Sequence, residues 1–339
     1  MKKSTISDVA AAAGVSNKTV SRVINNEPNV RPEKEVLVKA AITKLGYKPN
    51  PSARSLRSNK SYLIGVLYEN PAPYYVVAVQ EGALKKCDEH GYDLLLRPCS
   101  FSSSDLVTQV VNFTAHSNTD GLILTPPLCD NEPLIRALDK ANVSFVRISP
   151  FRNHSSPQIA SNEFDAAMKL TEHLISLGHE KIGLILGHPE HGASHWRLEG
   201  YKSALKNAGI SINNRLIQKG DFSFESGENS ARKLLNMEHR PTAVFASNDY
   251  MAAAVYKVAS QLSLSIPDSL SVVGFDDAPI ASQLWPPLTT VKQPTEELSN
   301  LATQLLINQI RHTDIAVTEQ KPLKCELIIR NSTSPVTKP

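Results

Sequence analysis

The chain has 339 residues, 36 Lys+Arg against 33 Asp+Glu, and 41% hydrophobic residues. That length suits more than one domain, and the absence of any run of 18 apolar residues excludes a helical membrane span. Cys87, Cys99, Cys129 and Cys325 are scattered singly, which excludes a disulfide framework and reads as reduced thiols in the cytoplasm. The charge is unevenly placed. Residues 1–60 hold 12 Lys+Arg and 4 Asp+Glu, a net +8, while the remainder holds 24 against 29, a net −5. A basic segment on a mildly acidic body is the footprint of a phosphate-binding module. The alanine-rich "VAAAAGV" after Lys2 and Lys3 superficially suggests a signal peptide, but it is short and framed by cap and stop signals, so secretion is not expected.

In "TISDVAAAAGV", Thr5 and Asp8 stand at capping-box spacing, Ile6, Val9, Ala10 and Ala13 make a helical stripe, and Gly14 ends it. In "SNKTVSRVIN", Ser16 suits the cap and Val20, Val23 and Ile24 line one side. Asn17, Lys18, Ser21 and Arg22 are left on the other. Two short helices across a tight glycine turn form a helix-turn-helix. A third helix starts at Pro32, carries Val38, Ala41, Ile42 and Leu45 inward, and stops at Gly46. The stripes of the three helices together can close one small core, which leaves the polar face of the second helix pointing outward. Such a face fits the DNA major groove, where Arg and Lys bond guanine and Asn bonds adenine.

"KPNPSARSLRSNKS" then carries Ala53, Arg54, Leu56 and Arg57 in two helical turns at most. It reads either as a flexible basic linker or as a hinge that folds on DNA and pushes Leu56 into the minor groove. From Tyr62, β-rich runs alternate with helical patterns. "YLIGVLY", "DLLLRP", "DGLILTP" and "VSFVRI" are separated by helices near 75–90, 104–116 and 131–141. A second series places "KIGLIL", "TAVFAS" and "LSVVGF" around helices at 195–208 and 249–262. This alternation argues for parallel sheets covered on both faces, in two lobes. Ligands bind such sheets at the C-terminal ends of the strands, so the cleft between lobes is the expected site. The polar and aromatic groups just after strands are Tyr74, Tyr75, Asn162, Asp165, Trp196, Arg197, Asn248, Asp276 and Trp285. Rings that pack on C–H groups, with carboxylates and a guanidinium for hydroxyl pairs, suit a sugar. Asn248 could equally serve only as a helix cap, and Asp277 as a structural group.

The motifs "TISDVAAAAGVSNKTVSRVIN", "KLGYKPNPSARSLRS", "LIGVL", "LISLGHEKIGLILG", "WRLEGYKSAL", "PTAVFASNDYMAAAV", "LSVVGFDDAPI" and "PPLTTVKQP", in that order to about Arg330, resemble the lactose-repressor/galactose-repressor (LacI/GalR) family of bacterial transcription regulators. The resemblance implies an all-α helix-turn-helix DNA-binding domain at 1–47, a hinge at 48–60, a two-lobed α/β effector-binding domain at 61–332 and a tail at 333–339. Lobe one would comprise 61–162 plus 293–322, and lobe two 163–292 plus 323–332. Asn17, Lys18 and Arg22, with Ser16 and Ser21, would meet bases. Ala53, Arg54 and Leu56 would enter the minor groove of a pseudo-palindromic double-stranded operator, and Lys2 and Arg57 would meet phosphates. Tyr74, Tyr75, Asp165, Trp196, Arg197, Asn248, Asp276 and Trp285 would hold a small-molecule effector. Two departures stand out: Arg31 replaces a Ser or Thr cap, and Ser161 replaces an aspartate of many relatives.

His188, His191 and His195 crowd one loop with His179 nearby, yet no HExxH and no cysteine pair accompanies them. They read as cleft-lining or solvated, and neither metal nor cofactor is expected. The chain has no G-x-G-x-x-G, G-x-x-x-x-G-K-[ST] or G-x-S-x-G, so an enzyme is not expected. The reading is a cytoplasmic, homodimeric repressor of carbohydrate-utilisation genes, released by a mono- or disaccharide. The alternative is a regulator that needs a purine-type or other small-molecule co-repressor. A sugar-binding protein or a sugar-acting enzyme are the readings from other classes. "NSTSPVTKP" carries no leucine heptad, so a dimer is expected rather than a tetramer through a coiled coil.

Overall fold

A computed structural model describes residues 4–24, 30–47, 60–152, 154–313 and 321–336. Lys2, Ala53, Arg54, Leu56 and Arg57 lie outside the described residues. The chain divides into two compact units, 1–61 and 62–339.

The first unit consists of α1 (Ile6–Ala13), α2 (Asn17–Ile24) and α3 (Pro32–Leu45). Thr5 and Asp8 cap α1 reciprocally, and Gly14, at φ 63°, turns the chain in the left-handed region that a residue with a Cβ avoids. The Thr19 N–H donates to Ser16 Oγ at 3.2 Å, so Ser16 caps α2. Arg31 precedes α3 with no side-chain cap bond, as its replacement of a Ser or Thr implies. Val9, Ala10, Ala13, Val20, Val23, Val38 and Ala41 form one buried cluster.

The second unit contains two parallel sheets, each covered on both faces. The first has strand order β2-β1-β3-β4-β5. Its strands are β1 (Leu63–Tyr68), β2 (Asp93–Pro98), β3 (Gly121–Leu124), β4 (Phe145–Ile148) and β5 (Gln158–Ile159). The helices α4 (Pro73–His90), α5 (Leu106–Ser117) and α6 (Glu132–Lys140) connect them. Side chains alternate across the sheet. Ile64, Val66 and Ile123 enter one core, and Leu67, Leu122 and Leu124 enter the other.

Next come α7 (Glu163–Ser176), β6 (Ile182–Ile185), α8 (Gly192–Asn207), β7 (Ile217–Gln218), α9 (Phe224–Leu235), β8 (Ala243–Ala246), α10 (Asp249–Gln261) and β9 (Ser271–Val273). They build the second sheet, ordered β7-β6-β8-β9. Here Ile182, Leu184 and Phe245 face one core, while Ile185, Val244 and Val272 face the other. After α11 (Pro279–Gln283), β10 (Thr290–Lys292) pairs antiparallel with β11 (Glu326–Ile328). Between them, α12 (Thr295–Arg311) returns to the first sheet, where Leu298, Ala302 and Leu306 complete its core. The described chain thus passes between the lobes three times, after β5, after β10 and before β11. The first and third passages are bonded: Asn162 Oδ1 accepts the Cys325 N–H at 2.8 Å, and the Leu323 N–H donates to the Ala160 carbonyl.

Sequence reading left α7, α9 and α12 undrawn. Each carries its apolar residues toward a sheet, but polar stretches around them blur the period. The α4–α12 contact depends on Gly82. A Cβ there would lie 2.1 Å from the Glu296 carbonyl oxygen and 3.0 Å from Ser299 Cβ. Gly82→Ala is therefore expected to force the helices apart and cost about 1–3 kcal/mol, read as a lower urea midpoint. An unchanged midpoint would show that the crossing relaxes without cost.

Candidate effector cleft and DNA-facing helix

In the small unit, Asn17 and Lys18 are exposed on α2, and Ser21 and Arg22 are half-buried beside them. Asn17 Nδ2 donates to Ser7 Oγ at 3.2 Å, which ties the start of α2 to α1. Ser16 is exposed, and its hydroxyl accepts the cap bond and lies 3.0 Å from Thr19 Oγ1, which leaves one further hydrogen-bonding position. The face proposed for bases is therefore presented by Ser16, Asn17, Lys18, Ser21 and Arg22.

In the large unit, a cavity opens between the lobes at the C-terminal ends of the strands. Asn70, Ala72, Tyr75, Pro126, Ser149 and Leu298 line it with Glu163, His191, Ala193, Arg197, Phe222, Asn248, Asp276 and Gln293. Four of the sequence candidates meet there: Tyr75, Arg197, Asn248 and Asp276. Tyr74 is half-buried outside the lining, with its phenol pKa raised by burial and by the Asp277 and Asp276 carboxylates. Asp165 is exposed on α7, Trp196 is 37% exposed and Trp285 is 89% exposed, and none of these three lines the cavity. The acidic group that α7 delivers is Glu163. Two residues along a helix turn the side chain by about 200°, so Glu163 and Asp165 cannot share a face.

Arg197, 3% exposed, is the hub. Its Nε and Nη2 each lie 3.1 Å from Glu163 Oε2, Nη1 donates to the Ser247 carbonyl, and Nη2 stands 3.7 Å from Asp276 Oδ1. The guanidinium carbon also sits 3.8 Å from the centroid of the Phe275 ring. Asp276 is held at φ 109°, a left-handed value that a non-glycine residue rarely adopts. Gln293 Nε2 donates to its Oδ1 at 2.6 Å. Burial pushes the Asp276 carboxyl up to about 6, while Arg197 and Gln293 pull it down and Glu163 pushes it further up. Asn248 is both cap and lining. Its Oδ1 accepts the Met251 N–H and its Nδ2 donates to the Phe222 carbonyl. Asp277 pairs with Arg330 at 2.6 Å and braces the turn from behind.

Of the histidines, His191 reaches the cavity. Burial and the neighbouring His188 and Arg197 lower its pKa to about 3, so it presents a neutral ring with one donor and one acceptor. His188 and Phe222 flank that ring at 5.3 and 5.1 Å. His179 bonds Thr242, Ser271 and the Ser334 carbonyl, away from the cleft. Among the described residues, no three His, Cys, Asp or Glu side chains group to hold a metal ion. Sequence reasoning missed Asn70, Ser149, Glu163, Phe222 and Gln293. Gln293 sits on the second passage between lobes, where only the topology brings it against Asp276.

Comparison with known proteins agrees with this fold. Residues 5–50 match the family described as bacterial regulatory proteins, lacI family, and residues 171–333 match the periplasmic binding protein-like domain. The chain is 35% identical to the HTH-type transcriptional repressor PurR of Photobacterium profundum, over 97% of this chain and 98% of that one. It is 36% identical to the ribose operon repressor of Escherichia coli K12, over 90% and 93%. Among solved structures, the lac repressor dimer bound to operator and the anti-inducer ONPF superposes with a TM-score of 0.79 at 28% identity, over 98% of this chain and 100% of that one. A complex of the transcriptional regulator CelR with cellobiose gives 0.71 at 28% identity, over 97% and 100%. No helix among the described residues is long and apolar enough to cross a membrane.

The raised Asp276 value has a sign. A carboxyl at about 6 in the fold and 3.8 in the unfolded chain favours folding when protonated. Its contribution to stability grows as pH falls from 6 towards 4, and above 6 the ionised group is a net cost. Asp276→Asn is expected to raise stability at pH 8 by on the order of 1–3 kcal/mol and to flatten the pH dependence between 4 and 6. Urea unfolding at pH 5 and pH 8 measures both, and a variant less stable at pH 8 would reverse the assignment.

Proposed function

Because the chain belongs to the LacI family of bacterial regulatory proteins and is a DNA-binding transcriptional repressor, we propose that it is a cytoplasmic homodimer controlling carbohydrate-utilisation genes, with a mono- or disaccharide as the effector that releases it from its operator. The observation that carries the sugar reading is the cleft itself. Glu163, Asp276, Arg197, Gln293, Asn70 and Ser149 converge there. Carboxylates and a guanidinium accept from and donate to adjacent hydroxyl pairs, and the Tyr75 and Phe222 rings supply apolar surface for C–H groups. Those two rings also favour the second reading, a purine-type ligand stacked on them.

On the DNA side, Ser16, Asn17, Lys18, Ser21 and Arg22 read the major groove. Ala53, Arg54 and Leu56 act in the minor groove, and Lys2 and Arg57 on phosphates. A half-site is too small for tight specific binding, so two copies act on a pseudo-palindrome. Effector must bind the two lobe arrangements unequally, since a ligand of equal affinity for both shifts nothing.

A thermal-shift panel of D-ribose, hexoses and disaccharides against nucleobases tests the effector class. Stabilisation by a sugar, lost in Asp276→Asn, is expected; stabilisation by nucleobases alone would favour the second reading and overturn the first. On DNA, Arg22→Ala is expected to cost about 1–3 kcal/mol per half-site and to relax preference at one base pair. Leu56→Ala is expected to lower operator affinity while leaving sugar binding intact. Fluorescence anisotropy on operator variants at one salt concentration measures both. An unchanged ranking of operators in Arg22→Ala would remove α2 from base recognition.

A further inference from the structure

One aromatic cluster spans the two lobes and lies outside the cavity lining. Phe151 belongs to the loop between β4 and β5, on lobe one. Its ring centroid is 4.2 Å from that of His195 and 5.6 Å from that of Trp196, which meets it edge-on. Both partners stand on the first turns of α8, on lobe two. The approach is close enough to need a glycine: a Cβ on Gly192 would lie 2.7 Å from Phe151 Cβ and 3.3 Å from its backbone nitrogen. Gly192 itself is buried.

The loop that carries the ring is locked from below. Arg147 is fully buried and lies 3.8 Å from Asp130 Oδ1. Its Nη1 donates to the carbonyls of Cys129 and Arg152, its Nε to Ser156 Oγ and its Nη2 to Gln158 Oε1. Asp130 in turn accepts the backbone N–H groups of Phe151 and Arg152 at 2.8–3.1 Å. Two buried charges that satisfy one another and four points of a single loop leave that loop little freedom to refold. The same backbone carries Ser149, which lines the cleft.

We infer that residues 149–152 form a latch between the lobes: Phe151 seats on the first turn of α8 and holds the cleft closed, and the Asp130–Arg147 pair positions the ring through the backbone that carries it. Aromatic contacts of this geometry add to simple burial of area, so a ring seated on two others supplies a closing contact that no cleft ligand has to provide. Ser149 and Phe151 ride on one backbone, so the latch and one wall of the cleft move together. The contact is made by protein groups outside the cavity lining, so it stands or falls separately from the effector assignment.

The chain has two tryptophans, Trp196 and Trp285. In full-length Trp285→Phe protein, emission comes from Trp196 alone, and acrylamide quenching reports whether Phe151 covers it. Trp196 is already 37% exposed and Phe151 covers one edge of it, so Phe151→Ala is expected to raise the quenching constant above that of the Trp285→Phe parent. Gly192→Ala should do the same with the Phe151 ring still present, because the new methyl displaces it. Asp130→Asn should raise quenching although it is not in contact with Trp196, and combining it with Phe151→Ala should add nothing further, the mark of residues acting through one contact. An additive double variant would reduce Asp130 to general structural support. Unchanged quenching in both Phe151→Ala and Gly192→Ala would show that the ring does not seat on α8, and would overturn the latch.

Discussion

The cleft depends on one buried guanidinium. Arg197 comes from α8, yet its partners come from the start of α7, the end of β8 and the turn after β9. Each is a strand or helix terminus that packing of the sheet alone would leave loosely placed. A planar fork with five donors fixes several such ends at once in a way a lysine could not. The geometry also carries a cost, since two carboxylates share one cation. Burial is the main reason the Asp276 carboxyl is raised, and the neighbouring Glu163 adds to it, against the pull of Arg197 and of the Gln293 hydrogen bond.

The sequence made the scaffold legible because its strands are short continuous apolar runs bounded by turn residues. The capping box at Thr5 and the left-handed stops at Gly14, Gly46 and Gly91 could likewise be located from residue type alone. The cleft was only half legible. Asn248 and Asp276 follow strands directly, Arg197 lies early in the helix after β6, and strand ends are where ligands meet such sheets. Glu163 is not singled out by residue type, because Asp165 two residues on is equally acidic and only the helix face separates them. Gln293 and Ser149 lie on connections whose destination depends on tertiary topology, which a local pattern does not encode. Trp285, an attractive ring on paper, stands almost wholly in solvent.

The aromatic seat of Phe151 and the network around Arg197 illustrate two ways of joining the lobes. Arg197 works within lobe two and shapes the floor of the cavity. Phe151 works across the gap and depends on a buried ion pair for its aim. A regulatory protein needs both a rigid receptor and a reversible contact, because a ligand shifts an equilibrium only through contacts that differ between its two states.

The three passages between lobes have a consequence for synthesis. The core of lobe one lacks a wall until α12, 295–311, is made, and β11 of lobe two comes later still. The helix-turn-helix unit has its own closed cluster and needs nothing beyond residue 47. At ~5–20 residues per second, roughly 10–50 s separate residue 61 from residue 311 on the ribosome. During that interval a DNA-binding head can already be folded on a nascent chain whose regulatory body is still incomplete. Unpaired strand edges and half-covered sheets stay exposed throughout, which makes this stretch of translation the period when chaperones have most to do.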